Sequence, residues 1–166
     1  MNTIKKVLFI AVLTLSFGMM NAQSKVAHIN TEELIASMPE TKALQAKLET
    51  LTKTYNQEIE KKDAELKAKF QKYNSEFESQ SEEVNKTRTQ EVQAEAQKIE
   101  QLKEEAYKDL QKQEQDGLKP ILEKAKKAIE EVANAQGYEY VLNVSTLVIA
   151  NGKDLLPDVK AKLGIQ

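Results

Sequence analysis

The chain has 166 residues, 24 Lys and Arg against 26 Asp and Glu, and no cysteine. Without cysteine it can form neither disulfides nor zinc–thiolate sites, and it lacks the basic excess typical of nucleic-acid-binding proteins. Tryptophan is absent, aromatic residues make up 5% of the chain, and Lys, Glu, Gln, Ala and Leu dominate. This composition indicates long helices or a coiled coil rather than one thick hydrophobic core.

The first 22 residues have the layout of a secretory signal peptide. Lys5 and Lys6 precede an uncharged, mostly apolar stretch at residues 7–20, and Ala22 provides a small residue for cleavage. The stretch is short for a membrane span, which needs about 20 apolar residues, although an uncleaved anchor is the alternative. Cleavage after Ala22 would change the net charge from −2 to −4, because the signal peptide holds two lysines and no acidic residue.

A short strand and a short helix are predicted at the start of the mature chain. Residues 25–30 alternate between apolar and polar side chains, which is typical of a strand. Asn30 can cap a helix over residues 31–37, with Glu33 reaching back as in a capping box. Pro39 should end this helix, because the residue before a proline avoids the helical conformation.

Residues 39–136 show helical periodicity and no strand pattern. Apolar residues recur in steps of mostly three and four along a broken heptad seam, at Leu44, Leu48, Leu51, Tyr55, Ile59, Leu66, Phe70, Tyr73 and Phe77, and again at Val92, Ala96, Ile99, Leu102, Ala106 and Leu110. The seam fades between residues 74 and 91. Gly117 and Pro120 are expected to interrupt the helix, either as a fixed bend or as a hinge.

Two arrangements of this segment remain open. It could form one helix about 140 Å long, or an antiparallel hairpin with its tip near residues 79–86 and arms of about 60 Å. The hairpin is favoured, because the polar gap lies near the midpoint and the strands at the two ends must meet.

The last part of the chain predicts two strands and a helix. Gly137 is suited to end the long helix in the left-handed conformation. Residues 138–144 and 147–150 read as strands, separated by a turn at Ser145 and Thr146 and stopped by Asn151 and Gly152. Residues 154–163 close the chain as a helix. So small a sheet is expected to pair with copies of itself.

No pattern in the sequence predicts an enzyme, a cofactor or a metal site. The lone histidine, His28, lies in the first predicted strand, where a structural role is the ordinary one. Acidic pairs such as Glu82 and Glu83 are neighbours on a helix and project about 100° apart, so they form a solvated face rather than a catalytic pair. The chain has no phosphate-binding GxxxxGK[ST] loop and no GxGxxG motif.

The distal arms contain more apolar residues than a two-helix seam needs. These residues are Leu66, Phe70, Tyr73, Phe77, Val84 and Val92. One interpretation assigns all of them to the seam. The other is that some face a cavity and bind apolar segments of a client polypeptide, through weak contacts that add up without sequence specificity.

Three segments resemble proteins of the Skp/OmpH family. These are KVAHINTEELIASMPETKALQAKLE at residues 25–49, PILEKAKKAIEEVANAQGYEYVLNVSTLVIA at residues 120–150 and DLLPDVKAKLG at residues 154–164. The resemblance implies a mostly α, α+β fold: a small β body from residues 23–40 and 137–166, and a helical hairpin, or tentacle, from residues 41–136. It also implies a periplasmic homotrimer that holds unfolded outer-membrane proteins between its tentacles without ATP.

The resemblance also implies which residues form the body and the trimer interface. By position they are Val26, Ile29, Val141, Val144, Leu147 and Ile149. The alternative function is a periplasmic coiled-coil scaffold that binds a folded partner. Well-known family members are strongly basic, whereas this mature chain is acidic. Its charge argues against a basic lipopolysaccharide-binding site and leaves contact with membranes or lipopolysaccharide open.

Overall fold

The computed structural model describes residues 25–165, so the predicted signal peptide lies outside the described residues. The elements in chain order are β1 (Val26–Ile29), α1 (Thr31–Ser37), α2 (Pro39–Ser75), α3 (Glu82–Gln136), β2 (Tyr140–Asn143), β3 (Lys153–Asp154) and α4 (Leu156–Leu163). Short 3₁₀ turns follow α2 at Phe77–Ser79 and β2 at Val144–Thr146. The predicted class, α+β with mostly helical content, is confirmed.

The three strands form one parallel sheet in the order β2–β1–β3. Parallel neighbours need a long crossover, and the connection from β1 to β2 consists of α1, α2 and α3. Since β1 lies in the centre, Ala27 and Ile29 are each only 1% exposed. Both ends of the described chain therefore meet in one sheet.

The second predicted strand, over residues 147–150, is wrong. After β2 the chain makes its 3₁₀ turn and continues unpaired, with Val148 fully exposed and Ile149 72% exposed. The free edge of β1 is occupied by β3 instead. His28 explains this choice: its ring Nε2 lies 3.1 Å from Gly152 O, and its backbone O accepts from Leu155 N–H.

The first helix begins and ends as predicted, but its cap is simpler than a capping box. Asn30 Oδ1 accepts a hydrogen bond from Glu33 N–H at 3.0 Å. The Glu33 carboxylate does not reach back; its Oε1 accepts from Lys160 Nζ on α4 at 2.8 Å. Pro39 separates α1 from α2, where it occupies the first turn and its missing N–H is not needed.

Helices α2 and α3 lie side by side and run in opposite directions. Early residues of α2 meet late residues of α3: Lys47 Nζ donates to Gln113 at 2.8 Å and Tyr55 Oη to Asp109 at 3.0 Å. Near the far end, Lys69 Nζ donates to Glu91 at 2.8 Å. The contacts are those of an antiparallel pair, which we call the arm.

The chain reverses direction at residues 76–81, several residues before the centre of the predicted tip at 79–86. Ser81 caps α3 by accepting from Val84 N–H at 3.4 Å, so residues 82–86 are already helical. Asn85 Nδ2 donates to Phe77 O at 2.9 Å and ties the turn to the first turn of α3. Side-chain hydrogen bonds thus fix a turn that contains neither glycine nor proline.

Gly117 and Pro120 do not break the returning helix, and the bend or hinge expected there stays a prediction. α3 continues from Glu82 to Gln136 with both residues inside it. A Cβ at Gly117 would overlap Leu44 Cδ1 and lie 2.9 Å from Leu44 Cδ2. Glycine therefore lets α2 and α3 approach closely at this point.

The hydrophobic core lies where the arm joins the sheet. Leu34, Met38, Leu155 and Val159 are 0% exposed. They pack with β1 and with one face of α3 that holds Ile121, Ala125, Ala128 and Val132. Because α1, α3, α4 and the sheet all contribute, this unit, which we call the body, anchors the base of the arm.

Candidate functional site

Four of the six predicted client-binding residues lie around one pocket at the far end of the arm. We call this cavity of about 340 Å³ the tip pocket; it is lined by Phe70, Tyr73, Asn74, Phe77, Asn85, Arg88, Thr89, Val92 and Gln93. Leu66 lines a separate groove beside Ile99, and Val84 lies outside both. The tip pocket thus brings together Phe70 and Tyr73 from α2, Phe77 from the turn and Val92 from α3.

The two phenylalanine rings at the tip pocket are not buried by the arm. Phe70 and Phe77 are each 57% exposed, whereas Ile99 and Ala106 in the middle of the arm are 4% and 5% exposed. A pair of helices buries only one narrow stripe. The rings therefore remain available to another molecule.

A polar network holds the helices together where the apolar seam ends. Tyr73 Oη donates to Glu91 Oε2 at 2.7 Å, and Lys69 Nζ binds both Glu91 and Glu95. Arg88 Nη2 donates to a carboxylate oxygen of Glu76 at 2.7 Å. These contacts fix the walls of the tip pocket without covering its phenylalanine rings.

The network shifts the ionisation of its members in the expected directions. Hydrogen bonds from Lys69 and then from Tyr73 hold the pKa of the Glu91 carboxyl below its ordinary value. The hydrogen bond to Glu91 raises the pKa of Tyr73. The hydrogen bonds to Glu91 and Glu95 raise the pKa of Lys69. Glu91 is therefore an anion and Lys69 a cation at neutral pH.

The sequence interpretation missed the polar walls of the tip pocket. Asn85, Arg88 and Val92 are spaced three and four residues apart, so they share one face of α3. The Arg88 guanidinium lies 4.5 Å from the centre of the Tyr73 ring, in cation–π contact. This spacing could have identified Asn85 and Arg88, but a search restricted to apolar residues passes over them.

The predicted oligomerisation residues lie in the body, in different environments. Ile29 is 1% exposed and belongs to the core of the chain itself, so it offers no surface to a partner. Val26 is 45% exposed and Ile149 72% exposed, while Val141, Val144 and Leu147 are half-buried. Five of the six residues thus remain candidates for an interface.

A groove in the body is lined by one of these residues, Val141. It has a volume of about 500 Å³, and its apolar lining includes Ile35, Leu122, Ile129 and Val141. β2 forms one edge of the sheet, and the fully exposed Val148 follows it in the chain. An unpaired strand edge beside exposed apolar side chains is typical of a surface that another chain covers.

His28 has the contacts of a structural residue. Besides its contact with Gly152, its Nδ1 lies 4.0 Å from Asp154 Oδ1. Across residues 25–165, no three His, Asp or Glu side chains come together as they would around a metal ion. None of the helices described here is long and apolar enough to span a membrane.

Comparisons with known proteins identify the family of the chain. Over the sequence, the model of the family "Outer membrane protein (OmpH-like)" matches residues 25–163. A search among curated proteins finds no match.

The fold is similar to the crystal structure of a candidate outer membrane chaperone (OmpH-like) from Caulobacter crescentus. The TM-score is 0.78 at 20% sequence identity, and the match covers 86% of this chain and 85% of that chain. At this identity the similarity concerns the fold alone. Since the family match extends from the first strand to the last helix, the chain belongs to the OmpH-like family of outer membrane proteins.

Proposed function

We propose that the chain is an ATP-independent holdase chaperone of the periplasm that binds unfolded outer-membrane proteins on its arms. Membership of the OmpH-like family supports a chaperone role. The observation that carries the proposal is the tip pocket, where Phe70 and Phe77 remain 57% exposed within a fixed polar frame. Such a surface binds apolar side chains and requires no catalysis.

The size of the exposed surface indicates weak binding by one arm. A phenylalanine can bury about 200 Å², so covering the exposed part of each ring contributes roughly 2–3 kcal/mol at about 25 cal/mol per Å². Much of this is offset by the entropy lost on association. One arm therefore releases its client easily, as a holdase must, and several arms acting together can retain it.

We further propose that the body joins three copies of the chain. Two features of the body support self-association. Val148 and Ile149 are exposed, and the free edge of β2 adjoins an apolar groove through Val141. Three arms extending from one body would enclose a client. Export to the periplasm rests on the predicted signal peptide and agrees with a role in outer-membrane protein assembly.

The test uses the mature chain, residues 23–166. A urea-unfolded outer-membrane β-barrel protein is diluted into buffer with and without the chain, and light scattering reports aggregation. We expect the mature chain to be a trimer in solution and to suppress aggregation at a near-stoichiometric ratio. A monomer that leaves aggregation unchanged contradicts the proposal. Binding of a native protein with indifference to unfolded chains supports the scaffold alternative instead.

The matched variants are Phe70→Ser/Phe77→Ser and Tyr107→Ser. Tyr107 is also an exposed aromatic residue of the arm, 68% exposed, but it lies outside the tip pocket. We expect the double variant to lose most of its holding activity while keeping its oligomeric mass, and the Tyr107 variant to retain activity. If wild type and both variants suppress aggregation equally, the client binds outside the tip pocket.

A further inference from the structure

The turn beside the tip pocket is rich in carboxylates, whereas the charged side chain that lines the pocket itself is that of Arg88. Residues 76–83 contain four carboxylates and no Lys or Arg, and Phe77 lies between two of them in sequence. Arg88 pairs with Glu76. The other three carboxylates, those of Glu78, Glu82 and Glu83, are exposed and have no ion-pair partner within residues 25–165.

The cations nearest in sequence offset only part of this negative charge. Lys86 lies one helical turn after Glu82 and Glu83, and Lys72 lies four residues before Glu76, but neither forms an ion pair with these carboxylates. Lys69 is occupied by Glu91 and Glu95, two carboxylates for one ammonium group. Residues 69–95 hold six Glu against four Lys and Arg, a net charge of −2. The far end of the arm therefore combines an apolar pocket with an acidic segment at residues 78–83, which we call the rim.

The tip pocket has the size and rigidity of a site for one large side chain. Its volume of about 340 Å³ is near the lower end of the range for ligand sites. Hydrogen bonds fix Tyr73, Arg88 and the Phe77 backbone in place. A preformed pocket loses less entropy on binding than a flexible one.

From these features we propose that the tip pocket prefers polypeptide segments in which a large apolar side chain is flanked by Lys or Arg. This inference rests on the proposed function, because the occupant is a client polypeptide. The apolar side chain fills the space between Phe70, Phe77 and Val92, and the flanking cations face Glu78, Glu82 and Glu83. Segments flanked by Asp or Glu are repelled by the same carboxylates.

The sequence allows this site to be observed directly. The chain has four phenylalanines, and Phe9 and Phe17 lie in the predicted signal peptide. In the mature chain, ¹³C-labelled phenylalanine therefore reports only on Phe70 and Phe77. We propose to titrate this protein with three capped peptides that share a Leu-Phe-Leu centre and differ only in flanks of Lys, Ser or Glu.

We expect the Lys-flanked peptide to shift both phenylalanine signals and to bind about three- to tenfold more tightly than the Glu-flanked peptide at low ionic strength. The Ser-flanked peptide should lie between them. In 0.5 M salt the difference should largely disappear, because exposed charges are then screened over a few ångströms. Equal affinities at low salt, or tighter binding of the Glu-flanked peptide, would overturn the inference.

Two triple variants with the same net charge distinguish the rim from the charge of the whole molecule. Glu78→Gln/Glu82→Gln/Glu83→Gln should abolish the preference and keep the affinity for the Ser-flanked peptide. The control replaces three exposed carboxylates along the arm that have no ion pair within the described part of the chain, Glu49, Glu60 and Glu114. It should keep the preference. Equal loss in both variants would show a general charge effect and refute a local site.

Further outcomes separate this inference from the proposed function. If Phe70→Ser/Phe77→Ser lowers the oligomeric mass, a second copy occupies the tip pocket and the inference is wrong. If the chain suppresses aggregation but shows no preference among the peptides, only the inference fails. If the peptides bind with the expected preference but aggregation is not suppressed, only the proposed function fails.

Discussion

Replacing Gly117 by alanine should have two opposite effects on the free energy of unfolding, and they are of similar size. Within a helix, alanine is more favourable than glycine by about 1 kcal/mol. However, the new Cβ would overlap the Leu44 side chain, which packs against the core of the body, and overpacking costs about 1–3 kcal/mol. Because Leu44 is held by this packing, we expect Gly117→Ala to lower the free energy of unfolding by about 1 kcal/mol.

A double-mutant cycle with Leu44→Ala isolates the contact. Once the leucine is shortened, Gly117→Ala should instead raise the free energy of unfolding by about 1 kcal/mol, which gives a coupling of about 2 kcal/mol. The assay is urea unfolding followed by circular dichroism at one protein concentration. Ala94→Gly, at an exposed position of α3, serves as the control and should cost about 1 kcal/mol in both backgrounds. If Gly117→Ala is stabilising in both backgrounds, Leu44 moves aside and the glycine has no role in packing.

Three further predictions concern the arm, the first helix and the body. The hydrogen bond from Lys69 holds the pKa of Glu91 in the folded state below its ordinary 4.5. The ionised Glu91 therefore stabilises the fold above pH 4.5, and this contribution is lost as the pH falls through the folded-state pKa. In urea unfolding at decreasing pH, the difference in stability between wild type and Glu91→Gln should shrink. Asn30→Ala should lower the free energy of unfolding by about 1 kcal/mol, because the capping bond is lost; urea titration measures this. Val148→Asp/Ile149→Asp should yield monomers of unchanged helix content, as measured by light scattering and circular dichroism; an unchanged mass would contradict self-association through this surface.

The elements that the sequence predicted correctly depend on local signals. Asn30 caps α1, Pro39 begins α2, and Gly137 ends α3 in the left-handed conformation with φ of 71°. Each signal acts within one turn of its own residue. The strand predicted at residues 147–150 failed because a strand requires a neighbour, and the free edge of β1 pairs with Lys153–Asp154 instead.

Pro120 shows how packing overrides a local signal. Proline removes one backbone hydrogen bond from the helix interior, and this loss favours an interruption. On the adjoining turns, however, Ile121 and Ala125 are 4% exposed and belong to the core. Their burial holds α3 helical across the proline, which sequence periodicity alone could not establish.

Heptad spacing identified part of the tip pocket but not its boundaries. The spacing placed Phe70, Tyr73 and Phe77 on one face, and the structure brings them to one pocket. It could not show that Leu66 contributes to a different groove or that Val84 lies outside, because this depends on where the chain reverses. The turn at residues 76–81 is set by side-chain hydrogen bonds that no repeat in the sequence specifies.

Because the arm is long, the tip pocket and the body should contribute independently to the stability of the chain. Client retention, in contrast, should depend on both. Helix α2 has 37 residues, which places the tip about 55 Å from the sheet, so substitutions at the two ends should act additively on stability. Client retention is different, because one arm binds weakly and several arms share a client only if a body gathers them. Variants that dissociate the body should therefore reduce client holding even with every tip pocket intact, while peptide binding to a single tip should be unchanged. Measuring both quantities on Val148→Asp/Ile149→Asp would test this dependence, and loss of peptide binding in that variant would contradict it.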